Sequence, residues 1–147
     1  EELKLFAKKV TSNATPEDLL LNDGTTAIEI PTDCIMDFEC RYSALQTGGS
    51  AGTAGDGVTQ KITFSVRNLA GTLTLLTQGI ATTATIVTVA GNICSYEQAK
   101  IGALTVTCVP TISGTKVLFV VTGEVNKDIQ HSLLINTTIN GFNNFAI

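Results

Sequence analysis

Hydrophobic and polar residues alternate with a period of two along much of this chain. In CIMDFECRY, residues 34–42, the apolar set on one face comprises Cys34, Met36, Phe38, Cys40 and Tyr42. The opposite face comprises Ile35, Asp37, Glu39 and Arg41. The segment VTQKITFSVRN repeats the pattern, with one face made of Val58, Ile62, Phe64 and Val66. Because successive side chains of a strand point to opposite faces, both segments are predicted to be half-buried strands.

Further strands are predicted at 71–77, 84–90, 101–109, 116–123 and 129–139, with short turn segments between them. KVLFVVTG, 116–123, is apolar on both faces, as a central strand would be. IGALTVTCV, 101–109, places Leu104, Val106 and Cys108 on one side. About eight to ten strands without crossover helices predict an all-β fold, an antiparallel β-sandwich of jelly-roll-like type.

Three local patterns are less decisive. Residues 1–12 fit either an N-terminal arm or a strand. Asp23-Gly24 is a turn signal, which predicts a hairpin after the TPED segment at 15–18. A minor helical turn is conceivable near SYEQAK, residues 95–100.

Residues 46–57 form the loosest stretch of the chain, QTGGSAGTAGDG, which fits either a linker between domains or a long loop. The half-buried strands on either side of it could not be stable alone. The chain length of 147 residues also suits one domain. We therefore predict a single domain, 1–147, in which this stretch is an intradomain loop between neighbouring strands.

The composition is unusually poor in charge. Charged residues make up 15% of the chain, against about 25% in an average soluble domain, and threonine, with 23 copies, fills much of the missing polarity. Such an exterior favours a surface that is partly covered by another subunit, and a plain Thr-coated monomer is the alternative. No apolar run is long enough to cross a bilayer, so membrane insertion is not expected. The nine basic residues are scattered, so nucleic-acid binding is not expected either.

The four cysteines, Cys34, Cys40, Cys94 and Cys108, have no zinc-binding spacing. Cys34 and Cys40 would lie ~20 Å apart on one straight strand and so could not bridge each other. Free buried thiols are favoured over disulfides, which fits assembly in a reducing cytoplasm.

No catalytic, cofactor or metal site is predicted, and the chain is not expected to be an enzyme. His131 and Ser132 are adjacent on a strand and therefore face opposite ways. Asp37 and Glu39 would lie about 7 Å apart on one strand face, a pair that a glycosidase could use, but a solvated face is the simpler interpretation.

Two other sequence patterns do not predict a functional site. Asp23, Asp33 and Asp56 in turns lack the spacing of a calcium loop. Two N-glycosylation triplets begin at Asn13 and Asn136, as expected by chance in a Thr-rich chain.

Several motifs in order resemble a β-domain of bacteriophage tail fibres, tailspikes and other virion proteins. The matching segments are VTSNATPEDLLL (10–21), IEIPTD (28–33), Phe38, KITFSVRNLAGTLTLLTQG (61–79) and LFVVTGEVNKDIQHSLLINTTI (118–139). The ending VTGEVNKDIQ is the most specific of them. The sequence lacks the tryptophan usual on the last strand, where Ser132 or a neighbour stands, and also the Trp-centred strand usual in the segment 82–100.

The resemblance implies a non-enzymatic building or attachment module of a virion, assembled in the host cytoplasm. It implies a phage tail fibre or fibre-like appendage that forms homotrimers and contacts other virion proteins. Contact with a host receptor is a separate hypothesis. A capsid decoration protein and a secreted carbohydrate-binding or adhesin domain are the alternatives. Because the chain opens on Glu1 rather than Met, we expect a processed product or a fragment.

Overall fold

The computed structural model describes residues 2–21, 27–76, 86–90 and 93–141. For residues 86–90 and 93–98 it describes the backbone alone. These residues contain eleven strands, which are β1 Glu2–Thr11, β2 Glu17–Leu19, β3 Ile28–Glu29, β4 Cys34–Gly49, β5 Gly57–Leu69, β6 Thr72–Leu75, β7 Ile86–Ala90, β8 Ile93–Ile101, β9 Thr107–Ser113, β10 Lys116–Thr122 and β11 Lys127–Gly141. Every pairing between these strands is antiparallel. The predicted all-β antiparallel sandwich is confirmed, with slightly more strands than the expected eight to ten.

The strands form two sheets. The large sheet has the order β1-β11-β4-β5-β8-β7, and β6 adds to β5. The small sheet has the order β2-β10-β3, with β9 also paired to β10. The predicted central strand 116–123 thus lies inside the small sheet as β10, flanked on both sides.

The core lies between the two sheets. Phe38 and Phe64 stack with their ring centroids 4.5 Å apart, and the ring of Phe64 meets Phe119 of the small sheet edge to face at 5.8 Å. The alternating apolar positions predicted for β4 and β5 all face this core and are buried. Aromatic contacts of this kind add about 0.5–1.5 kcal/mol beyond the buried area, so the three rings fasten the sheets together.

The stretch predicted as a long loop joins β4 to β5, which pair with each other directly. The prediction that it connects neighbouring strands is confirmed. Its bounds were too wide, because β4 continues to Gly49 and β5 begins at Gly57, leaving only 50–56 as the loop.

The strands that flank Asp23-Gly24 do not form the predicted hairpin, so this prediction is wrong. Asp23 and Gly24 themselves lie outside the described residues. On either side, β2 and β3 do not pair with each other, because both pair in the same direction with β10. β2 and β3 therefore run in the same direction, one after the other, along one edge of β10.

Two other local predictions are wrong. The helical turn considered near residues 95–100 is part of strand β8. The single strand expected at 101–109 is broken, because β8 ends at Ile101 and β9 begins only at Thr107. Gly102 between them has a φ of 74°, the left-handed region that ends a strand. Leu104, Val106 and Cys108 are nevertheless all buried, as expected.

The N-terminal segment, for which an arm and a strand were both open, contains β1 at the edge of the large sheet. All ten residues of β1 are in register with β11. The part of the chain that the structure describes holds no helix that is long and apolar enough to span a membrane.

Candidate functional site

The outer face of the large sheet, which points away from the core, carries side chains in rows that cross the strands. The pairing registers align five strands, so that outward residues of β1, β11, β4, β5 and β8 stand opposite one another. The apolar row consists of Val10, Gln130, Leu45, Gly57 and Ile101. The small row consists of Lys8, Ser132, Ser43, Thr59 and Ala99. The basic row consists of Phe6, Leu134, Arg41 and Lys61.

A groove crosses the sheet along the small row. Two adjoining depressions, of about 530 and 510 Å³, are both floored by Ser43, Thr59 and Ser132. Short side chains form this floor while longer ones on either side form the walls. The register of β5 on β8 shifts between Thr59 and Gln60, at one end of the floor. Such irregularities often occur where a sheet surface is used.

The apolar row and the groove walls expose large apolar side chains to solvent. Phe6 is 52% exposed, Val10 61%, Leu45 47% and Ile101 67%. Leu45 lies beside Gly57, where a β carbon would be at an ordinary contact distance of 3.7 Å from Cδ1 of Leu45. Val10, Leu45 and Ile101 share one row, with Gln130 and Gly57 between them, and we call this row of exposed apolar residues the apolar ridge.

The charges on this face are arranged unevenly. Lys8 and Arg41 line the groove without an acidic side chain among its described lining residues. Lys61 in the basic row pairs with Glu39, with Nζ 2.9 Å from Oε1. Further along the sheet, Glu2, Thr138, Asp37 and Ser65 form a row that we call the acidic row.

Beneath the groove lies a buried polar chain made of Thr11, His131 and Tyr42. Nε2 of His131 lies 2.8 Å from Oγ1 of Thr11, and Nδ1 lies 2.6 Å from the Tyr42 hydroxyl. Burial lowers the pKa of His131 to about 4 and raises that of Tyr42. The imidazole is therefore neutral at ordinary pH, and either tautomer satisfies both hydroxyls.

The structure supports the separation of His131 from Ser132 that the sequence predicted. His131 faces the core and Ser132 faces the groove on the opposite side of β11. The contacts described for His131 are two hydroxyls rather than a carboxylate. The two side chains therefore lie on opposite faces of β11, as the alternation of a strand predicts.

The acids considered in the sequence are found on the surface with structural partners, apart from Asp23, which lies outside the described residues. Asp37 accepts a hydrogen bond from Ser65, and Glu39 pairs with Lys61. Asp33 accepts the N–H of Ala70 at 3.0 Å. Within the described side chains, no three potential metal ligands cluster.

Three further sequence features have clear positions. Asp56 lies beside Gly102 and accepts the N–H of Ala103 at 3.4 Å, so it braces the turn after β8. Asn13 accepts the N–H of Thr15, an Asx turn at the first glycosylation triplet. Asn136, in the second triplet, lies within β11 and its side-chain oxygen is buried.

The cysteines are structural in character. Cys34, Cys40 and Cys108 are buried and unbridged, which confirms free thiols for these three. Burial raises the pKa of the Cys40 and Cys108 thiols, and nearby Glu39 adds to the rise at Cys40. The side chain of Cys94 lies outside the described set.

The sequence did not single out the groove. Alternation placed Arg41 and its neighbours on an outward face, but the rows depend on which strands are adjacent and in what register. The outward Ile35, at one end of an otherwise charged strand face, was a local signal that this face is not purely polar.

The chain was compared with protein families, curated proteins and solved structures. No protein-family model matches the sequence, and no match is found among curated proteins. Among solved structures, the chain is similar to the tailspike protein of Acinetobacter baumannii phage AM24, with 14% identity and a TM-score of 0.38. The likeness covers 99% of this chain and 27% of the tailspike chain.

Proposed function

We propose that this chain is a non-enzymatic structural domain of a bacteriophage particle, part of a tail fibre or a similar appendage, and that it acts as a homotrimer. The proposal starts from the ordered sequence motifs that resemble virion β-domains. The all-β antiparallel architecture agrees with that resemblance.

The observation that carries the proposal is the exposed apolar ridge on the outer face of the large sheet. Monomeric soluble proteins seldom expose contiguous apolar patches of more than about a few hundred Å², and a larger patch marks an interaction site. Here the ridge belongs to a chain with only 15% charged residues. Association with further copies would remove the ridge from water, which stabilises the assembly by about 25 cal/mol for each Å² of apolar surface buried.

The motif VTGEVNKDIQ supports a structural rather than a chemical role. Its residues build the turn between β10 and β11 and begin β11, with Glu124 and Lys127 paired to each other. Repeated copies of such a domain would present repeated weak contacts, which avidity converts into firm attachment to other virion proteins or to a host surface.

Native mass spectrometry and light scattering over a concentration series test the proposal. We expect a species of three chains that persists on dilution. A second arm looks for the protein in purified particles by cryo-electron microscopy, where density for it should lie on an appendage. A chain that stays monomeric at every concentration, or that lies on the capsid shell, would overturn the fibre proposal.

A further inference from the structure

We infer that the outer face of the large sheet is the surface through which copies of this chain contact one another. In this contact the apolar and basic rows of one copy lie against the acidic row of the next. The inference rests on the proposed homotrimer and adds the contact surface to it.

The distribution of exposed apolar side chains supports this face over others. Seven large apolar side chains are strongly exposed in the described part of the chain. Six of them belong to the outer face. At one end of this face lie Phe6, Val10, Leu45 and Ile101, and at the other end lie Ile35 and Leu69. Val125, in the turn before β11, is the exception. Both ends of the face thus offer apolar surface for a partner.

Charge determines which end meets which. Lys8 and Arg41 lie near the apolar ridge, whereas Glu2 and Asp37 lie in the acidic row. In the row between them, Glu39 pairs with Lys61 of the basic row, and Lys4 of β1 is a cation in that same row. Two copies that aligned their basic rows would bring like charges together, which is costly. Lys8 and Arg41 instead suit the carboxylates of the acidic row. Arg67, beside Ile35, is the one described cation beyond the acidic row on β5.

The flat area of the whole face is smaller than one partner's share of a stable interface, so the relief of the side chains has to supply the rest of the contact. With rows about 6.8 Å apart and strands about 4.8 Å apart, the area from the apolar row to the acidic row across five strands is roughly 500 Å² before side-chain relief is counted. A partner in a stable interface contributes about 800 Å². The side chains also include Arg41 and Phe6, and arginine and aromatic residues are enriched at such interfaces.

A contact between two different ends of one face is heterologous, meaning that each copy uses one patch toward one neighbour and the other patch toward the next. Such contacts generate closed rings when the rotation closes. A ring of three copies would use both ends of every face. The inference is therefore consistent with the proposed trimer.

Surface variants with matched controls test the contact. Leu45→Glu should weaken association at least ~10-fold, because it places an unpaired charge in the buried apolar ridge. Val125→Glu makes the same type of change at an equally exposed site outside the face and should leave assembly unchanged. Circular dichroism establishes that each variant is folded.

Charge exchange tests the orientation. Arg41→Glu and Asp37→Lys should each weaken association, and the double variant should regain it, because the opposite charges then meet with their signs exchanged. Lys116→Glu, an exposed lysine on the small sheet, makes the same change in net charge as Arg41→Glu and should have no effect.

A zero-length crosslinking experiment on the wild-type chain gives an answer without variants. Isotope-labelled and unlabelled copies are mixed, and we expect crosslinks between copies from Lys8 to Glu2 or Asp37. A wild type that is trimeric but yields no such crosslink, with a Leu45→Glu variant that still assembles, overturns this inference alone. A monomeric wild type overturns the proposed function itself.

Discussion

The ammonium of Lys127 lies 3.0 Å from Oε2 of Glu124, three residues earlier, in the turn that leads from β10 into β11. Glu124 also accepts hydrogen bonds from the backbone N–H and the hydroxyl of Thr105, at 3.2 and 3.1 Å. One carboxylate therefore fastens the turn both to the start of β11 and to the irregular segment before β9. This arrangement gives the Glu and the Lys of the motif VTGEVNK a structural role.

The variant Glu124→Gln should reduce the free energy of unfolding by about 1–2 kcal/mol, because hydrogen bonds to a charged group are stronger than neutral ones. Urea unfolding followed by circular dichroism measures the change. Glu39→Gln serves as the control, since its pair with Lys61 is more exposed and should matter by less than about 0.5 kcal/mol. Equal losses in the two variants would contradict the role given to Glu124.

The same carboxyl predicts a pH dependence. Burial alone would raise the pKa of Glu124, but the hydrogen bonds from Thr105 and Lys127, together with the charge of Lys127, lower it on balance. Because the pKa is lower in the folded state, the stabilisation is complete above the ordinary carboxyl range and is lost as pH falls through the folded value. The stability difference between wild type and Glu124→Gln should therefore shrink below about pH 4.

Gly123, the glycine of the same motif, lies against Thr11. A β carbon at this position would overlap Oγ1 of Thr11 and lie 2.8 Å from the carbonyl oxygen of Asn13. Gly123→Ala should therefore cost about 1–3 kcal/mol, as overpacking does in a close contact, measured by thermal or urea unfolding. Gly48→Ala is the matched control, because a β carbon there meets its nearest atom at an ordinary 3.4 Å. If both variants are equally stable, the close approach has no energetic consequence.

His131 predicts a second, separate loss of stability in acid. Its folded pKa of about 4 is lower than the ordinary value, so the unfolded chain takes up a proton first as pH falls. The native state is fully stable with respect to this group above about pH 6.5 and weakens progressively from there toward pH 4. Between pH 7 and pH 5 we expect a loss of about 2 kcal/mol from this group.

His131→Gln removes the titrating group and keeps a polar partner for the Thr11 and Tyr42 hydroxyls. Unfolding by urea at pH 7 and at pH 5 should show a smaller change for this variant than for the wild type. Identical pH dependence in the two proteins would mean that His131 does not titrate as expected.

Thiol labelling checks the burial of the cysteines. We expect Cys34, Cys40 and Cys108 to be labelled by a maleimide only after denaturation, because each is buried and burial raises the thiol pKa. Peptide mapping by mass spectrometry assigns the label to each position. Rapid labelling of Cys40 in the native protein would show that the sheets separate far more easily than the packed core implies.

Much of the fold follows from local pattern. The inward residues of β4 and β5, from Cys34 to Tyr42 and from Val58 to Val66, were assigned correctly, since alternation is a property of a single strand. The fold class followed from the number and spacing of such segments. These features need no knowledge of which strands become neighbours.

Other features depend on contacts that are distant in the sequence. The pairing of β1 with β11 joins the two ends of the described chain, and the rows of the outer face exist only because of that register. The interruption between β2 and β3 arises because one strand, β10, pairs with both. The strand break at Gly102 coincides with the nearby Asp56 carboxylate, which no short segment could reveal.

The β4–β5 loop is held at its base by Gln46. The backbone N–H of Gln46 donates to Asp56, its carbonyl accepts from Gly55, and its side-chain Nε2 donates to Ala51 at 2.6 Å. Thr53 and Ala54 at the tip are exposed. A foreign peptide inserted between those two residues would thus be displayed at the tip of a loop whose base is held by hydrogen bonds. This hairpin is therefore a suitable insertion site for labels or new binding peptides.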